Sequence, residues 1–327
     1  MGIRLDHRAL LATAGLAALL ATGAAIAGSE DAVSSDGSQV SERDAALYSG
    51  AAGTKTLSPP YAGAARVTAE ALHREGVSIY GGSEFTAAEV KAIAALRDKA
   101  SSTSTGGAEV IIGQDRRERV YTTYFPSRAR VLITFSGGRC SGTLIGPNTV
   151  VTAGHCVHSG GSGGSWYATS SYLIYAGANG TSKPYGSCTA KSLHSVSGWS
   201  SSGNEEFDYG AIKLNCTIGN TVGWYGYTSS VSTNLPAIIG GYPGDKPLTQ
   251  WIHADKVRAI TANQIFYSND TTPGSSGSGV WWDSNGAVLI GIHAYGTHGS
   301  SPHSLYNHGK RITASTLSNF DLWKNLP

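Results

Sequence analysis

The sequence predicts an all-β protein, a sandwich or a pair of small barrels, preceded by a shorter N-terminal part of different character. Three observations carry this reading. The 327 residues include 43 Gly and one Met, with only 14% charged residues. Short β-like runs alternate with Gly- and Ser-bearing loops, and residue usage changes abruptly near residue 109. Many short strands with tight turns use residues this way, and helical bundles do not. The length also exceeds what one ordinary domain needs, so removable segments are to be expected.

At the start, Arg4 and Arg8 precede an uncharged Ala/Leu-rich run from Ala9 to Ile26. Ala25-Ile26-Ala27 supplies small residues where a signal peptidase reads them. Residues 1–27 therefore read as a Sec-type signal peptide cut after Ala27, and the product as secreted and extracellular. A membrane anchor is the alternative for a run nearly long enough to span. Gly and Ala dilute that run, and no basic stop-transfer cluster follows it.

Residues 28–109 read as a pro-segment, partly helical or disordered, without Cys or Trp. Thr86 and Glu89 form a capping box, with Phe85 and Val90 at the staple positions. Together with an apolar stripe through Val90, Ile93, Ala94 and Leu96, they predict a helix near Thr86 to Lys99. Ala100 to Gly107 has the composition of a flexible linker.

Strand-like runs follow at Val110–Ile112, Val131–Phe135, Thr149–Thr152, Ala211–Leu214 and Val288–Ile292. Residues 110–327 are numerous enough for a pair of small barrels. Residues 1–109 hold 9 Lys/Arg against 12 Asp/Glu, and residues 110–327 hold 15 against 10. The second part is thus basic and the first acidic. No dense Lys/Arg cluster exists, so nucleic acid is not an expected partner. The four cysteines, Cys140, Cys156, Cys188 and Cys216, are even in number and lack zinc-type C-x-x-C spacing. In an exported chain they favour two disulfides, with three connectivities open.

Three segments carry chemistry, in chain order: Val151-Thr152-Ala153-Gly154-His155-Cys156, Phe207-Asp208-Tyr209-Gly210-Ala211-Ile212, and Pro273-Gly274-Ser275-Ser276-Gly277-Ser278. A Ser hydroxyl needs a base within reach to become a nucleophile. A His can take that proton near neutral pH, and a carboxylate can fix its tautomer. A His beside a Cys is ordinarily structural and a Gly/Ser run is ordinarily a loop; it is their joint, ordered occurrence that points to catalysis. Ser275 and Ser278 are rival nucleophiles without Gly on both sides. Asp245, Glu205 and Glu206 are rival acids, but Asp245 looks like a turn residue and the two Glu lack a following strand.

These segments resemble the chymotrypsin superfamily of serine proteases, whose chain order is His, Asp, Ser. The resemblance implies two six-stranded antiparallel β-barrels, a short C-terminal helix, and His155, Asp208 and Ser276 as catalytic triad. It implies an oxyanion hole from the amides of Gly274 and Ser276. It also implies a Cys140–Cys156 disulfide beside the base, which leaves Cys188 to pair with Cys216.

The resemblance narrows to the secreted bacterial glutamyl endopeptidases through VIIG at Val110, IGPNTVVTAGHC, DYGAIKL, GYPGD and RIT near Arg311. This branch cuts after Glu, less readily after Asp. It implies that His293, Thr271 and the α-amino group of a mature chain starting at Val110 bind the substrate carboxylate. Glu109 precedes Val110, and residues 28–109 contain seven Glu against three in the longer remainder. An enzyme cutting after Glu could release its own N-terminus and spare its mature part. A trypsin-like chain of other preference and an inactive binding module on the same scaffold are the competing readings.

Gly279 stands where the branch usually has Pro, and local flexibility is expected there. His293, His298, His303 and His308 recur every five residues, a spacing that fits neither one helix face nor one strand face. With no calcium-loop Asp cluster, neither a metal site nor any other cofactor is expected. The expected partners are protein or peptide substrates, and the expected state is a monomer.

Overall fold

The computed structural model describes residues 30–37, 57–64, 84–96 and 109–327, except 137, 247, 284 and 285. The signal peptide, the 100–107 linker and residues 97–99 lie outside the described residues. The N-terminal part contributes strands β1 (Ala32–Ser34) and β2 (Leu57–Ser58) and helix α1 (Ala87–Ala95). The capping box forms: Thr86 Oγ1 accepts from the Glu89 amide at 3.2 Å, and Glu89 Oε2 accepts from the Thr86 amide at 2.6 Å. The two bonds satisfy amides that the first turn leaves free.

After β3 (Glu118–Arg119), the first barrel comprises β4 (Arg130–Phe135), β5 (Gly138–Leu144), β6 (Thr149–Thr152), β7 (Leu173–Ala176), β8 (Cys188–Val196) and β9 (Gly210–Leu214). Their order is β8-β7-β4-β5-β6-β9, and a β8–β9 pairing closes the ring. The short helix α2 (Ser197–Ser200) links β8 to β9, and helix α3 (Gly219–Val222) and strand β10 (Gly226–Thr228) intervene before the second barrel. That barrel comprises β11 (Pro236–Gly241), β12 (Trp251–Ile260), β13 (Gln264–Tyr267), β14 (Gly279–Asp283), β15 (Ala287–Tyr295) and β16 (Asn307–Arg311). Its order is β14-β11-β12-β13-β16-β15, closed by β14–β15. Both rings are antiparallel and have six strands. Closure leaves no ring strand with an unpaired edge.

Every side chain of β4, β6 and β9 is buried, as expected for strands covered on both faces. The core they share includes Val131, Ile133, Val151, Leu193 and Ile212 of the first barrel and Leu289 and Ile292 of the second. Helix α4 (Ala314–Asn325) closes the chain, capped by Thr313, and buries Leu317, Phe320 and Trp323. Lys213 of β9 reaches the end of α4, donating to the carbonyls of Trp323 at 3.1 Å and Leu326 at 2.7 Å. A cation at a helix C-terminus suits the helix dipole.

Two expectations need correction. Val110 to Ile112 forms no strand: the Ile112 amide donates to Asp270 Oδ1 at 2.9 Å, so a side chain takes the place of a neighbouring strand. Gly279, expected to be flexible, is tightly packed. A Cβ there would lie 2.4 Å from Leu289 and 2.8 Å from Thr143, and its amide donates to Thr143 Oγ1 at 3.2 Å. Proline would clash there and forfeit that bond.

Candidate active site

The GHC segment forms a tight turn immediately after β6, which places His155 between the barrels. Its amide donates to Asp208 Oδ1, and its Nδ1 donates to Asp208 Oδ2, both at 2.7 Å. Asp208 is wholly buried. The Tyr295 hydroxyl donates to the same carboxylate. Burial, then the Asp208 charge, holds the Tyr295 pKa well above its ordinary value, so the hydroxyl keeps the proton it donates. Gly154 is needed for space: a Cβ would lie 2.7 Å from the Trp199 ring and 2.8 Å from Asp208 Oδ1. Burial opposes charge on His155, but the charge and hydrogen bond of Asp208, with the Glu109 charge, outweigh it and raise its pKa.

The structure joins Cys140 to Cys156 and Cys188 to Cys216. The first bridge ties β5 to the turn holding His155. Closing a loop of this size removes unfolded-state entropy equivalent to about 3 kcal/mol.

Ser276 lies on a loop that bends at Gly274 (φ +103°) and Gly277 (φ +84°), both in the region that favours glycine. A Cβ on Gly277 would lie 2.0 Å from Thr152 Oγ1 and 3.0 Å from the Ala153 amide. The loop therefore packs directly on the segment leading to His155. The amides of Ser275, Gly277 and Ser278 are held by Thr272, His293 and Ser275 carbonyls. A side chain from the N-terminal part lies against this loop.

What lies there is Glu109. The Ser276 hydroxyl donates to Glu109 Oε1 at 2.6 Å, and His293 Nε2 lies 3.3 Å from the same oxygen. A hydroxyl has one proton to donate, so Ser276 does not offer it to His155 in this state. Tyr267, absent from the sequence reading, pairs with His293 Nδ1 at 2.7 Å. Burial, then the Glu109 charge, raises its pKa well above the ordinary value, so it remains a protonated hydroxyl. A hydroxyl that donates to Nδ1 places the His293 proton on Nε2, which lies 3.3 Å from Glu109 Oε1.

Val110 lies beside these groups. Its amide donates to Asn307 Oδ1 at 3.4 Å, and its carbonyl accepts from Asn307 Nδ2 at 2.7 Å and the Thr271 amide at 3.2 Å. Thr271 Oγ1 is buried without a hydrogen-bond partner among the described residues. Asp245 and Glu205 do not approach His155 as rival acids. Asp245 accepts from Arg117 and Thr272, and Glu205 faces His298 and His303.

The model of the trypsin family matches residues 116–315. The chain belongs to the trypsin family. It is similar to the glutamyl endopeptidase of Bacillus licheniformis, with 43% identity over 225 residues, covering 66% of this chain and 69% of that protein. It is also similar to the extracellular metalloprotease of Bacillus subtilis, with 42% identity over 228 residues, covering 66% and 70%. Among solved structures it resembles a Glu endopeptidase in complex with MPD, at 32% identity and TM-score 0.56, covering 66% of this chain and all of that one. This trypsin-family chain is a serine endopeptidase, a hydrolase of proteins or peptides.

Two site residues, Tyr295 and Tyr267, escaped the sequence reading. Tyr295 follows His293 by two positions on β15, so strand periodicity alone could have put it near the site. Tyr267 lies on another strand, and no local signal marks it.

Proposed function

We propose that this chain is a secreted endopeptidase that cuts after Glu, with His155, Asp208 and Ser276 as its triad. The observation that carries the specificity is the Glu109 carboxylate, which is 96% shielded and lies against His293 Nε2 and Ser276 Oγ. A pocket whose buried donors await a carboxylate rejects neutral side chains strongly, because those donors then go unpaired. Two relatives named glutamyl endopeptidase support the same preference.

In the reaction, Ser276 Oγ attacks the carbonyl carbon after the substrate Glu while His155 Nε2 takes the hydroxyl proton. The amides of Gly274 and Ser276 receive the oxyanion, a contribution of roughly 3 kcal/mol per donor. The imidazolium passes its proton to the leaving amine as the C–N bond breaks. Water, deprotonated by His155, then cleaves the acyl-enzyme and restores Ser276.

Residues 1–27 act as the signal peptide and 28–109 as the pro-segment. In the uncut chain the Glu109 side chain occupies the nucleophile, and the Val110 nitrogen is an uncharged amide. Cutting Glu109–Val110 removes the plug and creates an α-ammonium beside Thr271 and Asn307. His293, Thr271 and that ammonium then bind the substrate carboxylate. Mass spectrometry of the secreted protein should give a mature chain starting at Val110. Matched Glu, Asp, Phe and Lys peptide anilides should be cut in the order Glu, Asp, then the others far behind. A start well away from Val110, or Phe and Lys cut as fast as Glu, would overturn this reading.

A further inference from the structure

The five-residue recurrence of histidines argued against a common site, yet three of the four converge in space. The loop after β15 turns back on itself, with the His298 amide donating to the His303 carbonyl at 3.0 Å. Strand β16 then brings His308 beneath them. The three imidazole rings stand 4.8 to 5.1 Å apart, centre to centre. Across from them is Glu205, on the turn that leads to Asp208 in the other barrel.

We propose that Glu205, His298 and His308, completed by His303, form a binding site for a divalent first-row cation of the zinc type. The distances suit it. Glu205 Oε2 lies 3.1 Å from His298 Nε2, and Glu205 Oε1 lies 3.2 Å from His303 Nε2 and 3.9 Å from His308 Nε2. A tetrahedron with metal–ligand bonds of about 2.0–2.1 Å has edges of about 3.3 Å. The candidate ligand atoms of Glu205, His298 and His308 all lie within 4.8 Å of one another.

The second observation is unpaired nitrogen. Among the described residues, Nε2 of His298 and Nε2 of His308 are buried and make no hydrogen bond, and His308 is wholly inaccessible. A buried polar atom without a partner is costly. Here two such atoms lie 3.1 and 3.9 Å from the oxygens of one carboxylate.

The donor set selects the ion: imidazoles with one carboxylate suit zinc, whereas calcium and magnesium prefer oxygen alone. Outer contacts orient the ligands. Gln264 Nε2 donates to Glu205 Oε1 at 3.2 Å, and Gln264 Oε1 pairs with His303 Nε2 at 2.9 Å. Binding by His303 therefore requires that its Nε2 turn from Gln264 to the metal. His298, His303 and Glu205 each keep about a quarter of their side-chain surface exposed, which provides an entry path.

The site would staple the barrels together beside Asp208. The Asp208 amide donates to the Glu205 carbonyl at 3.2 Å, and Tyr295, bonded to Asp208, stacks on His308 at 5.5 Å. The role is therefore structural, fixing the turn that presents Asp208. This inference does not depend on the preference for Glu.

The test uses the full chain carrying Ser276→Ala, which prevents self-digestion, stripped with chelator and titrated with zinc chloride. Calorimetry and elemental analysis should give about one zinc per chain, as one closed site requires. Zinc at a hundred-fold excess over Kd should raise Tm by about 5–10 °C. Cobalt(II) in its place should show the visible absorption of a four-coordinate nitrogen/oxygen site. His298→Asn and Glu205→Gln, at partly exposed positions that tolerate change, should each weaken binding by about a hundred-fold or more. Failure of the parent to retain zinc would overturn the proposal. So would unchanged zinc affinity in a folded His298→Asn/Glu205→Gln chain.

Discussion

His155 and His293 both feel one carboxylate, that of Glu109, yet they are prepared for opposite tasks. Each has its Nδ1 held by a single buried partner. For His155 the partner is the Asp208 carboxylate, which can only accept, so Nδ1 carries the proton and Nε2 is left with a lone pair. For His293 the partner is the Tyr267 hydroxyl, which can donate, and its donation places the proton on Nε2. One imidazole is thereby suited to the proposed role of base and the other to that of a donor for anions. The residue type decides neither role; the group on the far nitrogen does.

Inverting the first partner should have the largest effect. In Asp208→Asn the side-chain amide can donate to Nδ1, which moves the His155 proton to Nε2 and removes the base. A fall in kcat of about 10⁴ is expected with KM little changed, the size that such a tautomer error produces. Activity within tenfold of the parent would show that Asp208 does not set the tautomer. Removing the second histidine is next. His293→Ala should lower kcat/KM for a Glu anilide by about 10²–10³ and for a Phe anilide far less, since only the former loses a charge-assisted donor. An equal loss on both would make His293 a packing residue.

Tyr267→Phe sharpens the comparison more gently. The ring remains and only the hydroxyl goes, so His293 is free to place its proton on either nitrogen. KM for the Glu substrate should rise roughly tenfold, the scale of one hydrogen bond, with kcat held. Phe substrates should not notice. A matching fall on every substrate would point to damaged packing.

Much of this was legible because the decisive residues lie in short contiguous segments. TAGHC places His155 one turn past a buried strand, and DYGAI places Asp208 just before another. The capping box at Thr86 and Glu89 was equally readable, because both partners lie within one turn. Pairings across the chain were not. β1 joins the first barrel by pairing Ala32 with Val196, and β2 joins the second through Tyr227 and Ser58. Three- and two-residue strands carry no periodicity to detect. The histidine cluster failed for a related reason: a five-residue spacing looks incoherent until a loop reversal brings positions 298 and 303 over 308. Gly279 was misread as a source of flexibility because the space it lacks belongs to Leu289 and Thr143, far away in sequence.

The smallest expected effect concerns the charge shared between the two histidines. Glu109 raises the His155 pKa alongside Asp208. In an uncut chain carrying Ser276→Ala, adding Glu109→Gln removes that negative charge, so the His155 imidazolium is less favoured and its pKa must fall. Two-dimensional NMR of the imidazole protons across a pH titration measures this directly. The sign extends to stability. A raised folded-state pKa contributes stability that is complete below the unfolded value and is lost as pH rises through the folded one. Glu109→Gln should therefore cost the uncut chain more stability on the acidic side of that window than above it. The proposed cut after Glu109 would remove the same charge from the same place. The acid limb of kcat/KM in the mature enzyme should then lie below the pH at which His155 titrates in the uncut chain. If His155 titrates at the same pH with Glu or Gln at position 109, the carboxylate is held by His293 and Ser276 alone, and the two histidines are electrostatically independent.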